Sequence, residues 1–274
     1  MIRDITIGQY YPAKSLIHRL DPRVKIVCTL LFILSLFVQN SLLGYACATV
    51  FLAGIIYMSR VPLPFIVKGL KPIVILLLFT VAMNLFLNRG GETLAAFWIF
   101  RITEKGVRIS VLMAIRLIYL VAGSSIMTFT TTPNGLTDGI EKLLHPLNRV
   151  KVPVHEVAMM MSIALRFIPI LLEETDKIMK AQIARGADLE SGNILQRAKA
   201  MVPILVPLFV SAFRRANDLA LAMEARCYHG GEGRTKMKPL VYHTRDRIAY
   251  LIAVLYLAAV FLVGRFVPFH IWVF

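Results

Sequence analysis

Long apolar runs separated by short polar segments dominate the chain. Five of them stand out, at residues 24–38, 42–58, 72–87, 110–129 and 248–263. A helix that crosses a bilayer upright needs about 20 apolar residues, and most of these runs are shorter. Lysine and arginine side chains at the ends of a run can reach back to the interface and so extend it. The pattern therefore predicts five membrane-spanning helices.

Residues 130–247 follow a different pattern. Two further apolar runs lie here, and each is interrupted by an arginine or by prolines: 157–172 with Arg166 and Pro169, and 201–213 with Pro203 and Pro207. The segment also carries 12 of the 16 acidic and 17 of the 31 basic residues. It is too charged to sit in hydrocarbon and too apolar to be a solvated tail. Both facts fit long amphipathic helices that lie against the inner leaflet or a partner, the first of them over residues 133–150.

The distribution of basic residues predicts the orientation of the spans. Five lysines and arginines lie within residues 1–25 and 17 within residues 130–247. By contrast, the turn near residue 40 carries none, and the tail after the last run carries Arg265 alone. Because short loops rich in lysine and arginine stay on the cytoplasmic side, we expect the N-terminus and residues 130–247 to be cytoplasmic. This orientation requires an even number of spans, most simply zero, within 130–247.

The composition supports the same class of protein. Hydrophobic residues make up 57% of the chain and charged residues 17%, with a net charge of +15 and a mean hydropathy of +0.68. These values exclude an acidic disordered protein, a secreted disulfide scaffold and an ordinary cytosolic enzyme. We expect an all-α polytopic membrane protein with about five spanning helices and a cytoplasmic module of long amphipathic helices. Its predicted divisions are membrane helices 1 to 4 in 1–129, the cytoplasmic helices in 130–239 and a C-terminal membrane helix in 240–274.

The sequence offers little support for chemistry on this chain. It contains no Gly-x-x-x-x-Gly-Lys-[Ser/Thr] loop for ATP phosphates, and no Ser/His/Asp set is visible. Its six histidines never occur three or four residues apart, which leaves metal ligation unsupported. Three scattered cysteines (Cys28, Cys47 and Cys227) suit neither a disulfide framework nor a zinc site. The polar, basic segment 1–23 does not indicate a cleaved signal peptide. We expect no catalytic residue, no metal site and no cofactor.

Residues 130–247 contain a partial internal sequence repeat, in which Arg185 aligns with Arg226. Two predicted helices each end in a small residue, an arginine and a small residue, namely Ala184-Arg185-Gly186 and Ala225-Arg226-Cys227. An arginine on the helix dipole, followed by a glycine cap, accounts for one such ending. Its recurrence favours another interpretation, in which each arginine docks into an acidic cleft of a partner protein. At the same offset, Glu173-Glu174 falls on Arg214-Arg215, so opposite charges meet if the two helices cross there.

Four groups of residues follow one another in a fixed order. They are Gly8-Gln9-Tyr10 with Ser15, His18-Arg19-Leu20-Asp21-Pro22-Arg23 and Lys25; Thr131-Thr132-Pro133 with Leu136; Leu165-Arg166-Phe167-Ile168-Pro169; and the two arginine tripeptides. In this order they resemble the transmembrane component T of energy-coupling factor (ECF) transporters. The similarity runs from residue 8 to about residue 228. Cys227 departs from the pattern, because the family more often has glycine there.

The resemblance implies a function. Component T belongs to ABC-type importers of vitamins or transition metals, in which two cytoplasmic ATPase subunits clamp its coupling helices. On this basis Arg185 and Arg226 each dock in one ATPase subunit, and ATP and magnesium are bound by those partners rather than by this chain. A separate membrane-embedded S component captures the substrate, and component T transmits motion to it. No nucleic acid is implied as a partner.

Two features allow more than one interpretation. Met159, Met160 and Met161 are typical of adaptable core packing, but they also suit a sliding surface for the S component, because methionine surfaces re-pack easily. Arg116 lies deep in the run 110–129, where a charge is costly and either has a structural partner or takes part in gating. Asp21-Pro22 predicts an N-cap with proline at the first helical position.

Two other classes of function are open to a chain of this kind. A secondary permease would bind its substrate at the bilayer midplane and would show inverted repeats and broken helices with polar residues. The internal repeat is instead parallel, and the spans are nearly apolar apart from Arg116 and Asn84. A membrane-embedded enzyme is disfavoured because the sequence shows no catalytic set. Co-purification with ATPases distinguishes component T from a permease that binds substrate alone.

Overall fold

The computed structural model describes residues 10–39, 41–87, 93–97, 100–187, 193–231 and 237–266. Nine α-helices account for most of these residues, which confirms the all-α class. They are α1 Pro22–Val38, α2 Leu42–Ser59, α3 Leu63–Leu70, α4 Val74–Leu87, α5 Glu104–Thr130, α6 Pro133–Leu144, α7 Val154–Ala184, α8 Ile194–Glu224 and α9 Thr244–Phe266. Short 3-10 turns, Lys71–Ile73 and His145–Val150, precede α4 and follow α6.

One short hairpin departs from the helical pattern. Strands β1 (Thr93–Phe97) and β2 (Phe100–Thr103) pair antiparallel immediately before α5. Thr103 ends the hairpin and begins the helix, because its hydroxyl accepts a hydrogen bond from the amide of Gly106 at 3.2 Å. The apolar and polar pattern did not predict a strand in this segment between two spans.

The described residues fall into two compact units. The first, called the membrane unit below, contains α1 to α5, α6 as far as Ile140, and α9. The second, called the two-helix unit, runs from Glu141 to Pro239 and contains α7 and α8. The functional division of the chain at residues 130 and 239 stays a prediction.

Among the described residues, four helices are long and apolar enough to cross a membrane: Leu63–Leu85, Glu104–Thr130, Val154–Ala184 and Thr244–Arg265, with Leu43–Ser59 as a shorter apolar helix. Four of the predicted runs lie within this set. The fifth corresponds to α1, whose 17 residues extend about 26 Å, somewhat less than the roughly 30 Å of a hydrocarbon core. The apolar first half of α7 also qualifies, although its run was predicted to lie outside the membrane. The side on which α7 lies remains a prediction.

The core of the membrane unit joins five helices: α1, α2, α3, α5 and α9. Residues at helical spacing point inward from each of them, including Phe32 and Leu36 of α1 and Ala122, Ile126 and Phe129 of α5. Gly123 lets α5 approach α1 closely, because a Cβ atom there would lie 2.8 Å from the ring of Phe32. The Ser35 hydroxyl lies 2.8 Å from the Tyr256 hydroxyl and joins α1 to α9. Many apolar side chains on the outer surface remain exposed, as a lipid environment requires.

A cluster of polar groups holds the helix ends of the membrane unit. The Asp21 carboxylate accepts the Arg23 amide at 2.9 Å ahead of Pro22, which confirms the predicted N-cap. Asp246, only 1% exposed, accepts hydrogen bonds from the amides of Asp21 at 2.9 Å and His243 at 2.8 Å. These bonds tie the start of α9 to the start of α1.

Arg116 has structural partners. Its Nε donates to the Tyr45 hydroxyl at 3.0 Å, and one of its Nη atoms donates to the backbone carbonyl of Gln39 at 3.1 Å. The guanidinium therefore ties the middle of α5 to the turn between α1 and α2. Of the two interpretations open to Arg116, these contacts favour the structural one.

Candidate functional site

Helices α7 and α8 of the two-helix unit pack in antiparallel fashion. The Gln182 amide donates to the Pro203 carbonyl at 3.3 Å near the end of α7, and further back Arg215 lies 3.3 Å from the Glu174 carboxylate. Moving backwards along α7 thus means moving forwards along α8. The predicted meeting of opposite charges is confirmed for this pair, whereas Glu173 and Arg214 are exposed.

Three prolines lie inside these helices without ending them. Pro169 is within α7, and Pro203 and Pro207 are within α8, yet each helix runs for 31 residues. The prolines thus interrupt the apolar runs but not the long helices that the sequence predicted. Because Pro207 has no amide hydrogen, the carbonyl of Pro203 four residues earlier loses its helical partner. Gln182 donates to that same carbonyl and so supplies a tertiary replacement.

Helix α7 ends in a compact turn around the first arginine tripeptide. The amide of Ala187 donates to the carbonyl of Gln182 at 3.0 Å, and that of Gly186 donates to Ile183 at 2.9 Å. Gly186 has φ +86°, the left-handed conformation. This combination is a Schellman motif, which satisfies the last carbonyls of a helix through the backbone alone.

Helix α8 ends in the same turn around the second tripeptide. The amide of Tyr228 donates to Met223 at 3.1 Å, and that of Cys227 donates to Glu224 at 2.8 Å. Cys227 has φ +54° and takes the place of the glycine. Each donor and each acceptor of this turn follows its counterpart at the end of α7 by a fixed number of residues. That number is the same as the number of residues between Arg185 and Arg226. The sequence repeat is therefore also a structural repeat, and the cysteine does not alter the turn.

Both tripeptides are exposed. Ala184, Arg185 and Gly186, and likewise Ala225, Arg226 and Cys227, all lie on the surface. Within the part of the chain that the structure describes, neither guanidinium takes part in a hydrogen bond or an ion pair. Because the backbone turns already satisfy the helix ends, both arginine side chains are available to a partner.

The two arginine ends lie at opposite ends of the helix pair. Gly231, just beyond α8, comes close to the first turn of α7, since a Cβ atom there would lie 2.2 Å from the ring of His155. Arg185 lies 11 residues beyond Glu174, and Arg226 lies 11 residues beyond Arg215 in the opposite direction along the pair. At 1.5 Å of rise per residue, the two arginines are therefore on the order of 30 Å apart.

The methionine run is largely exposed. Met160 and Met161 are 58% and 44% exposed, and Met159 is half-buried. Tight core packing therefore does not account for them. Helix α8 presents an apolar surface of its own, which we call the α8 apolar face: Met201, Val202, Leu205, Val206, Phe209, Val210 and Phe213. It corresponds to the apolar run 201–213, as predicted for an amphipathic helix, and residues 202, 206, 209 and 213 follow helical spacing.

The chain is similar to several known proteins. Residues 13–237 match the family CbiQ, described as a cobalt transport protein. The energy-coupling factor transporter transmembrane protein EcfT of Clostridium kluyveri is 58% identical over 254 residues, which cover 92% of this chain and 94% of that protein. The proteins of the same name from Ruminiclostridium cellulolyticum and Bacillus subtilis are 52% and 48% identical, covering 96% and 94% of this chain and 98% and 97% of their own lengths.

Proposed function

Since this chain belongs to the CbiQ family of cobalt transport proteins, and is a multi-pass membrane protein of the ECF transporter T-component type, we propose that it couples ATP hydrolysis in two partner subunits to substrate uptake. The partners in this proposal are two cytoplasmic ABC ATPases, which bind ATP and magnesium, and a membrane-embedded S component, which binds a vitamin or a transition metal. This chain carries force between them and performs no catalysis.

The repeated arginine end carries the proposal. Two exposed arginines on identical backbone turns, at opposite ends of an antiparallel pair, match what two related ATPase subunits require. Each guanidinium acts as a bidentate donor to a carboxylate on its own subunit. Arginine suits this role because its planar fork fixes direction as well as charge, which lysine does not reproduce.

Transmission depends on the packing of α7 against α8. When the ATPases close on ATP, the two arginine ends are drawn with them. Two contacts then keep α7 and α8 in register: the Glu174–Arg215 pair and the Gln182–Pro203 hydrogen bond. The two helices therefore move together and do not slide along each other. Met159, Met160, Met161 and the α8 apolar face offer the S component a surface that can re-pack as it moves.

The proposed placement in the membrane follows the basic residues. The N-terminus and residues 130–247 face the cytoplasm, which brings both arginine ends to the side where ATP is available. In this placement α7 and α8 lie against the inner leaflet and the partners.

Charge reversal at both arginines tests the coupling. We expect Arg185→Glu or Arg226→Glu to abolish uptake by the reconstituted transporter while the chain still inserts in the membrane, and the double variant to release the ATPases. Losing one partner of a desolvated charge pair costs about 2–5 kcal/mol, so single alanine variants should weaken coupling before the complex dissociates, because the second arm still holds it. Uptake and ATPase pull-down are measured on the same preparation.

A matched control separates coupling from a general charge effect. Lys177→Glu makes the same charge change at an exposed position of α7 and should leave uptake and pull-down unchanged. Unchanged transport by the double arginine variant contradicts the coupling assignment. Substrate binding by this chain in the absence of an S component would instead favour a permease.

A further inference from the structure

A cavity of about 160 Å³ lies inside the membrane unit, between α1, α2, α5 and α9. Its wall is apolar apart from Lys25, Thr29 and Thr130. Val24, Phe32, Leu52, Ile126 and Ala253 form its buried side. On the other side Met58 and Ile252 are 45% and 47% exposed, so the cavity opens to the surface of the helices. An apolar cavity of about this size stays free of water and accepts apolar groups.

The cavity lies at one end of the membrane unit. Its walls come from the first turns of α1 and α9 and the last turns of α2 and α5. Lys25, which is 7% exposed, donates to the carbonyls of Thr130 at 2.7 Å and His18 at 3.3 Å, and so joins these ends to the basic segment before α1. In that segment Ile17 and Leu20 line the cavity, while Lys14 and Arg19 are exposed beside them.

We propose that this cavity binds a segment of one acyl chain of an anionic phospholipid, whose headgroup lies against Lys14 and Arg19. The surface around the mouth faces hydrocarbon, because the helices that form it are apolar and outwardly exposed. An empty apolar void forfeits dispersion contacts, which a lipid chain restores. Exposed cations at the interface attract anionic headgroups. The site is independent of the proposed coupling to ATPases, since it uses none of the residues of the two-helix unit.

Fluorescence quenching measures occupancy of the cavity. The reporter is Phe51→Trp, a cavity-lining position, with Trp98 and Trp272 replaced by phenylalanine. The full chain is reconstituted in phosphatidylcholine vesicles that contain increasing fractions of phosphatidylglycerol brominated in its acyl chains. A second reporter, Leu255→Trp, lies 60% exposed on α9 and follows the bulk lipid. We expect the cavity reporter to be quenched at a lower phosphatidylglycerol fraction than the surface reporter.

Two pairs of variants test where the acyl chain and the headgroup of the lipid bind. Ala249→Leu fills the mouth of the cavity and should abolish the selective quenching, whereas Ala258→Leu adds the same volume to an exposed position of α9 outside the cavity and should not. Arg19→Gln should lower the preference for phosphatidylglycerol over phosphatidylcholine about fivefold, given about 1 kcal/mol for each basic residue near the surface. Arg149→Gln, at an exposed arginine of the two-helix unit, should leave the preference unchanged.

A measurement on the unaltered chain avoids any effect of substitution on folding. Cys28 lines the cavity and Cys227 is exposed outside it. In lipid-depleted detergent, added phosphatidylglycerol should slow alkylation of Cys28 by N-ethylmaleimide several-fold and leave Cys227 unaffected, with phosphatidylcholine and a free fatty acid less effective. Equal quenching of the two tryptophan reporters, together with unchanged Cys28 alkylation, would overturn the proposal. Equal protection by a free fatty acid would overturn the assignment to a phospholipid.

Discussion

Cys227 adopts a backbone conformation that favours glycine. Its φ of +54° corresponds to the +86° of Gly186 in the repeated turn. For a residue with a Cβ atom this conformation costs about 1–2 kcal/mol. The turn is nevertheless formed, because its backbone hydrogen bonds and the packing of α8 together outweigh that cost.

Glycine at position 227 should stabilise the turn. We expect Cys227→Gly to raise stability by up to about 1 kcal/mol and Gly186→Ala to lower it by about the same amount. Thermal unfolding of the purified transporter measures both. Ala225→Gly serves as the control, because Ala225 has an ordinary right-handed φ of −60° and glycine there should destabilise. A Cys227→Gly variant less stable than the unaltered chain would contradict the strain argument.

The ring of His18 lies between Tyr11 and Ser15. Its Nε2 lies 2.9 Å from the carbonyl of Tyr11, which can only accept, so Nε2 carries a hydrogen. Its Nδ1 lies 2.7 Å from the Ser15 hydroxyl. Burial lowers the pKa of His18 from its ordinary value of 6.5, and the positive charge of Lys25 acts in the same direction.

The lowered pKa predicts a loss of stability in acid. The folded chain binds the His18 proton less readily than the unfolded chain, so the contribution of this residue is complete above about pH 6.5 and is lost as pH falls through the lower folded pKa. We expect the thermal midpoint to fall as the pH is lowered below 6.5, and His18→Gln to flatten that decline. His229→Gln, at an exposed histidine, should leave the decline as it is. An unchanged slope in His18→Gln would refute this assignment.

At the scale of elements, the sequence predicted the helices but not the tertiary contacts that support them. The apolar runs and the internal repeat are visible because they depend on local periodicity. The hydrogen bond that Gln182 of α7 donates to the Pro203 carbonyl of α8 is not visible in such a pattern. The start of α9 similarly depends on Asp246 bonding to Asp21, 225 residues away in sequence. Contacts of this kind leave no trace in a local pattern.

The crossing of α7 and α8 can be tested by exchanging its charges. Either Glu174→Arg or Arg215→Glu places like charges at the crossing, where the native pair lies 3.3 Å apart, and should reduce uptake. The double exchange should restore it. Because both side chains are partly exposed, we expect a coupling energy of no more than about 1 kcal/mol in a double-mutant cycle. The same exchange at the exposed pair Glu173 and Arg214 is the control and should show no coupling. If the double exchange does not restore uptake, the Glu174–Arg215 contact does not determine the positions of the two arginine ends.

At the scale of the whole molecule, α7 decides the topology. Its apolar first half satisfies the length and composition of a span, while the 17 basic residues of 130–247 argue that the segment stays on one side. A cytoplasmic helix pair explains three features: the long polar half of α7, its arginine end and the antiparallel packing of α8. A spanning α7 would instead separate the two ends of that helix by a bilayer.

Cysteine labelling at both ends of α7 separates these arrangements. In a cysteine-free background, Val152→Cys lies before α7 and Asn193→Cys lies after it, and both native residues are exposed. If residues 130–247 are cytoplasmic, a membrane-impermeant maleimide added to intact cells labels neither position, and both become labelled once the cells are permeabilised. A spanning α7 places one of the two outside, so it is labelled in intact cells. Thr93→Cys is the positive control, because residue 93 follows the third predicted span and so lies outside when the N-terminus is cytoplasmic. Labelling of either Val152→Cys or Asn193→Cys in intact cells would show that the helix pair does not lie wholly in the cytoplasm, and one of the two arginine ends would then be out of reach of an ATPase.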